Sequence, residues 1–125
     1  MATEHFRFEI DHSRRFLKII LDGIWTRETV DLYREAVRKT VRDMAMRGVP
    51  LTEVAVLIDT RALPVQSRDV ADYYAESPLY PAADPRRIAT LVVSRLVGIQ
   101  VRRVGTGVRE IFENEQEAID WLFAP

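Results

Sequence analysis

Asp59, Thr60, Arg61, Ser67, Ser94 and Arg95 are the side chains whose types and spacing could do chemistry together. Ile58-Asp59-Thr60-Arg61-Ala62 follows the apolar run Val54 to Ile58, and Ser94-Arg95 follows the apolar run Ile88 to Val93. If the two runs are neighbouring parallel strands, both groups lie beyond strand C-termini, where open α/β sheets bind ligands. Ser67 and Ser94 each suit the N-cap of a following helix. Two helix N-termini would then present unpaired N–H groups beside two guanidinium forks, an arrangement that holds phosphate or carboxylate. Asp59 opposes this, because its own charge can occupy Arg61 in a local turn and ion pair. The sequence leaves both readings open. If the anion site is real, Arg61→Ala should abolish binding and change stability by less than about 1 kcal/mol, as for an exposed ion pair.

Other chemistries lack their residues. The chain has no cysteine, which removes disulfides, thiolate metal sites and cysteine nucleophiles. His5 and His12, near Glu9 and Asp11, are the only histidines and lack the spacing of a dedicated zinc site. None of Ser13, Ser67, Ser77 and Ser94 stands in a nucleophile elbow. Gly105-Thr106-Gly107 lacks the third glycine and the following helix of a dinucleotide fingerprint, and no P-loop motif occurs. Glu113, Glu115 and Glu117 cluster where a helix begins, and the helix dipole explains them. The pairs Arg14-Arg15, Arg86-Arg87 and Arg102-Arg103 are scattered without strand aromatics beside them, and read as solvated surface. No catalytic centre and no cofactor follow, so the sequence does not predict an enzyme.

Composition sets the outer bounds. The 125 residues suit one domain, 1–125, large enough for its own core. Apolar residues make up 47% and charged residues 30%, which is too apolar and too evenly charged for a disordered chain. A net charge of -1 argues against general attraction to nucleic acid or anionic membrane. No apolar run approaches the ~20 residues of a membrane span, and the first residues do not read as a signal peptide. Absence of cysteine fits a reducing, cytoplasmic compartment.

The elements that must position these residues follow from periodicity. Phe6 to Ile10 alternates as a half-buried strand, and Phe16 to Leu21 is a second strand across a turn, so the two form a hairpin. A long helix begins at Thr26 as N-cap, with Trp25 and Val30 as a hydrophobic staple. Val30, Tyr33, Val37, Val41 and Met44 form its apolar stripe, while Arg27, Asp31, Arg34, Arg38 and Arg42 take other faces. Gly48 and Pro50 end it. Val54 to Ile58 reads as a central strand buried on both faces. Ser67 opens a helix reaching Tyr73-Tyr74-Ala75, a proline-rich loop spans Ser77 to Pro85, and Ile88 to Val93 is another buried strand. Ser94 opens a helix over Arg95 to Val104, and Val108 to Phe112 is the last strand. Asn114 caps a closing helix whose apolar face is Ala118, Trp121 and Leu122. The order β-β-α-β-α-β-α-β-α predicts an α/β fold with a single mixed, mostly parallel sheet and right-handed crossovers. Leu96, Val97, Ile99, Val101 and Val104 occupy more than one helical face, which suits a homodimer contact. Tyr73, Tyr74, Leu79 and Tyr80 either line an apolar pocket or pack the proline-rich loop onto the core.

Several strings of the sequence have a familiar order. Leu21-Asp22-Gly23 precedes the long helix. Val56-Leu57-Ile58-Asp59-Thr60-Arg61, Ile88-Ala89-Thr90-Leu91-Val92-Val93 and Ile111-Phe112 to Glu117-Ala118-Ile119-Asp120-Trp121-Leu122 follow. With these the chain resembles the SpoIIAA-like group of the STAS superfamily, sometimes joined with CRAL-TRIO lipid-binding domains. The resemblance implies a small, non-enzymatic bacterial domain. It also implies a serine-phosphorylation switch in an Asp-Ser-Ser-Gly segment, matched here by Asp59-Thr60-Arg61-Ala62. Thr60 takes the place of the first serine and Arg61 that of the phosphorylated one, so the resemblance does not carry the switch over. The functional expectation is a non-catalytic regulatory module that binds a protein partner or small ligand, and the alternative is a carrier of a small apolar, lipid-like molecule.

Overall fold

The computed structural model describes residues 5–76, 84–94 and 109–125. Arg95, the Leu96–Val104 segment, Leu79, Tyr80 and the Gly105-Thr106-Gly107 turn lie outside them. Strands β1 (Phe6–Asp11) and β2 (Phe16–Asp22) form the expected hairpin. Its turn is built by Asp11, whose carboxylate accepts from the Ser13 hydroxyl at 2.7 Å and from the Arg14 N–H at 3.2 Å. These bonds hold the Asp11 carboxyl below the ordinary carboxylate range. Helix α1 (Arg27–Met46), a 3-10 turn (Leu51–Glu53), β3 (Ala55–Ala62) and α2 (Arg68–Ala75) follow. Then come β4 (Arg87–Leu91), β5 (Arg109–Phe112) and α3 (Glu115–Leu122). The five strands form one sheet in the order β1-β2-β3-β4-β5, with β1 antiparallel to β2 and every other neighbouring pair parallel.

Capping fixes both ends of α1. The Thr26 hydroxyl accepts from the Thr29 N–H, and the Thr29 hydroxyl accepts from the Thr26 N–H. At the other end the Gly48 N–H bonds the Ala45 carbonyl and the Val49 N–H bonds the Met44 carbonyl, both at 2.9 Å. Gly48 takes φ +89, the left-handed value this Schellman closure requires. Val49 and Met44 are both buried, which adds the apolar contact common to that motif.

The alternation along each strand divides the core in two. Leu17, Ile19 and Leu21 of β2, Val56 and Ile58 of β3 and Ile88 of β4 pack with Val30, Tyr33, Val37 and Met44 of α1. On the opposite face Ala55, Leu57, Ala89 and Leu91 pack against Ala118 and Leu122 of α3. Val56 and Leu57 are fully buried on opposite faces, as the continuous apolar run of β3 predicts. Tyr33 is the aromatic hub of the first core, with the rings of Phe6, Trp25 and Tyr74 centred 5.6, 5.3 and 6.4 Å away.

Three arginines depart from the surface role read from sequence. Arg34 is buried, and its Nη2 donates to the carbonyls of Tyr73 at 2.9 Å and Tyr74 at 2.8 Å. It thereby satisfies backbone acceptors at the C-terminal end of α2, where the helix dipole favours a cation. Arg86 donates to the Leu122 carbonyl at 2.6 Å, and Arg87 donates to the carbonyls of Trp121 and Ala124. This arginine pair therefore closes the C-terminus of α3, with Arg87 also stacked 5.2 Å from the Trp121 ring centre. Sequence spacing could not show this, because β4 and α3 lie far apart along the chain.

Candidate functional site: the rim at the strand C-termini

The chemistry-bearing residues do gather at one end of the sheet, but inside a longer strand than the apolar run suggests. Asp59, Thr60, Arg61 and Ala62 belong to β3 rather than to a loop beyond it. Asp59 pairs in register with Ile20 of β2 and Leu91 of β4, and Ala62 pairs with Asp22 across a register shift that leaves one extra residue on β3. Period-two alternation puts Asp59 and Arg61 on one face of the sheet and Thr60 on the other. Two residues apart on one face, the opposite charges meet directly.

Asp59 Oδ1 accepts from both the backbone N–H and Nε of Arg61 at 3.0 Å, and Oδ2 accepts from Nη2 at 2.8 Å. The same Nη2 reaches Glu115 Oε1 at 3.1 Å, and Lys18 Nζ holds Glu115 Oε2 at 3.0 Å. Two cations and two carboxylates thus form a continuous chain, from Lys18 of β2 through Glu115 of α3 to Arg61 and Asp59 of β3. The Asp59 side chain is only 11% exposed, whereas that of Arg61 is 43% exposed. Its hydrogen bonds to Arg61 outweigh burial and hold the Asp59 carboxyl below its ordinary value. The Arg61 guanidinium is raised above its ordinary value, chiefly by the bond to Asp59.

The serines and threonine make structural bonds. Thr60 Oγ1 donates to the Leu91 carbonyl at 2.6 Å, crossing from β3 to β4. Ser67 Oγ accepts from the Val70 N–H at 3.2 Å and caps α2, as expected. Ser94 lies just beyond β4 at the same end of the sheet, and Arg95 is outside the described residues. The structure therefore brings Arg61 to two carboxylates. An incoming anion must displace one of them.

Lys18 and Glu115 are not among the site residues expected from the sequence. Lys18 carried a signal, being a lone cation within the strand run Phe16-Leu17-Lys18-Ile19-Ile20-Leu21. Glu115 was explained as a helix-dipole residue, and that reading omits its two cationic partners. Among the described residues, no group of three or more His, Cys, Asp or Glu side chains could hold a metal ion. His5 Nδ1 stands 3.5 Å from Asp22 Oδ1. Its ring lies so close over Gly23 that a Cβ there would collide with it, and Gly23 has φ +76.

Three exposed apolar residues stand at this end of the sheet. Ile24, Val65 and Val93 are 64%, 81% and 67% exposed, and they directly follow the ends of β2, β3 and β4. Gln66 ties two of these connections together. Its Oε1 accepts from the Trp25 N–H at 2.7 Å and its Nε2 donates to the Gly23 carbonyl at 2.9 Å. Those bonds flank Ile24 and hold it beside the segment that carries Val65. Neighbouring strands lie about 4.8 Å apart, so the connections that follow them leave the sheet side by side.

No protein-family model matches the chain, and no curated protein matches it significantly. Among solved structures it is similar to an uncharacterized protein of the DUF3478 family from Shewanella loihica PV-4, described as having a SpoIIAA-like fold. The two share 23% identity over 94% of each chain, with a TM-score of 0.68. With five strands in one mixed sheet, its antiparallel strand at the edge and helices on both faces, this chain has the SpoIIAA-like fold.

Proposed function

We propose that the chain is a non-catalytic binding module that recognises a protein partner through the rim at the C-terminal ends of β2, β3 and β4. The observation that carries this reading is that three exposed apolar residues, Ile24, Val65 and Val93, each follow the end of one of three adjacent strands. Single exposed apolar residues are ordinary on a protein surface, but a contiguous group marks an interaction site. The polar groups beneath support the same reading. Asp59, Arg61, Glu115 and Lys18 bind one another, and Thr60 and Ser67 bind backbone. They make a rigid floor and leave contact to the apolar residues above.

The carrier alternative draws less support. Tyr73 donates its hydroxyl to Asp31 at 2.7 Å, which raises its pKa, and its ring lies under the Arg27 and Arg34 guanidinium groups. Tyr74 packs on Tyr33. Both rings join α1 to α2 instead of lining a cavity. Native mass spectrometry of the purified protein separates the readings. A protein partner on the rim predicts a mass, or a multiple of it, accounted for by polypeptide alone. A retained lipid would move the assignment to a carrier, and a retained phosphate or nucleotide would move it to an anion site at Arg61.

Regulation at Thr60 is expected to be absent. The Thr60 hydroxyl gives its proton to the Leu91 carbonyl, and Arg61 stands beside it bound to Asp59. A phosphate on Thr60 would break the cross-strand bond and remove its donor. Incubation with an anti-sigma kinase and ATP should leave Thr60 unmodified in an intact-mass spectrum. Stoichiometric phosphate on Thr60 would restore the switch.

A further inference from the structure

The outer edge of β1 carries information that the rim does not use. The Asp22 N–H bonds the His5 carbonyl, and β1 runs antiparallel to β2 in the register Phe6↔Leu21. In an antiparallel pair the residues that exchange backbone bonds alternate with those that do not. Arg7, Glu9 and Asp11 therefore direct their backbone groups towards β2, whereas Phe6, Phe8 and Ile10 direct theirs away from it. Among the described residues no strand pairs with that side, because β1 ends the sheet.

We infer that this edge binds a second copy of the chain, β1 against β1, about a two-fold axis at Phe8. The strand is self-complementary only in particular registers. Outward backbone groups meet when even-numbered residues face even-numbered residues. Centring the pair on Phe8 places Phe8 opposite Phe8 and Phe6 opposite Ile10 of the second copy. Every outward N–H and C=O of Phe6, Phe8 and Ile10 then gains a partner. The same register puts Arg7 opposite Glu9 of the second copy, and Glu9 opposite its Arg7. Each cross-strand pair joins opposite charges, and symmetry makes the pairing occur twice.

Side-chain environment agrees with the backbone. Arg7 and Glu9 are exposed and already lie 3.7 Å apart, so the pairing extends an existing ion pair. Charges on an edge strand ordinarily discourage pairing, but alternating opposite charges do so least against a copy of the same strand. Ile10 is exposed on the other face of β1, the face on which Phe6 is buried. Beside it a groove of about 500 Å3 is lined by Phe6, Arg7 and Phe8 of β1, by Asp22 of β2 and by Lys39 and Asp43 of α1. Ile10 of the second copy, opposite Phe6, points to this groove. The interface lies along the lateral edge and leaves the rim free, so it stands or falls independently of the proposed partner site.

Charge exchange tests the pairing. Light scattering at micromolar concentration should give the wild type twice 14.4 kDa. Arg7→Glu and Glu9→Arg should each weaken self-association about tenfold or more, because each places like charges opposite each other twice. The double variant Arg7→Glu/Glu9→Arg should restore the dimer. A monomer at all wild-type concentrations would overturn the inference. So would dimers that survive both single changes, or a double variant that remains monomeric. Hydrogen exchange supplies a second reading without substitutions. The Phe6, Phe8 and Ile10 amides should be protected at high protein concentration and exchange freely on dilution. Free exchange at every concentration would contradict the pairing.

Discussion

Arg61→Ala is expected to lower stability by about 1–3 kcal/mol at neutral pH, more than an exposed ion pair would cost. The sequence alone suggested a loss below about 1 kcal/mol, which assumed that both partners were solvated. Arg61 is indeed partly exposed, but Asp59 is nearly buried and takes three hydrogen bonds from it. The backbone bond survives the substitution, while the two guanidinium bonds are lost. Asp59 is then left desolvated, with Lys18 as the remaining cation that lowers its pKa. The pH dependence has a defined sign. Asp59 titrates below the ordinary carboxylate value in the folded protein, so its contribution is present above the unfolded pKa and is lost as pH falls through the folded one. The difference between wild type and Arg61→Ala should therefore be full at pH 7 and shrink below about pH 4. Urea unfolding at both pH values, repeated with Asp59→Asn and the double variant, isolates the coupling. Equal destabilisation at pH 7 and pH 3, or additive single effects, would show that the pair contributes no coupling.

Arg34→Ala should cost about 2–4 kcal/mol, the larger of the two effects. The substitution removes a buried guanidinium that donates to two carbonyls and lies 5.3 Å from the centre of the Tyr73 ring. It strips the C-terminal acceptors of α2 and opens space between α1 and α2. Arg34→Lys should recover only part of the loss, since an ammonium lacks the planar fork and the stacking surface. Thermal unfolding of the three proteins checks the order wild type, Lys, Ala. An alanine variant within about 0.5 kcal/mol of wild type would place Arg34 among ordinary surface residues.

What was legible in the sequence was whatever local periodicity and capping encode. The hairpin, the α1 stripe from Val30 to Met44, the Gly48 stop, the doubly buried β3 and the Ser67 and Asn114 caps all depend on residues a few positions apart. The Asp59–Arg61 pair is legible for the same reason, as a local turn and ion pair between residues two apart. Its placement within β3 was not, because polar residues do not announce the end of a strand whose neighbour continues to pair with it. The partners Glu115 and Lys18, the burial of Arg34 and the capping role of Arg86 and Arg87 required tertiary contacts between distant segments. Arginine is the recurring source of error here. Its position on a helical wheel or in a basic pair predicts exposure, yet its long stem and fork let it cap a neighbouring helix from a buried site.

A protein partner that docks over Ile24, Val65 and Val93 should be recovered by comparative capture from an extract of the source organism. The bait would be the wild-type chain, Val65→Asp and Met46→Asp, with retained proteins quantified by mass spectrometry. Met46 is as exposed as Val65 but lies at the C-terminal end of α1, at the opposite end of the sheet, and so controls for loss of an exposed apolar side chain. A charge placed in the centre of an apolar contact typically costs over 1.4 kcal/mol, or about tenfold in affinity. The expected result is a protein that wild type and Met46→Asp retain equally and that Val65→Asp loses by about tenfold or more. Retention unaffected by Val65→Asp, or no protein retained by the wild type, would contradict it.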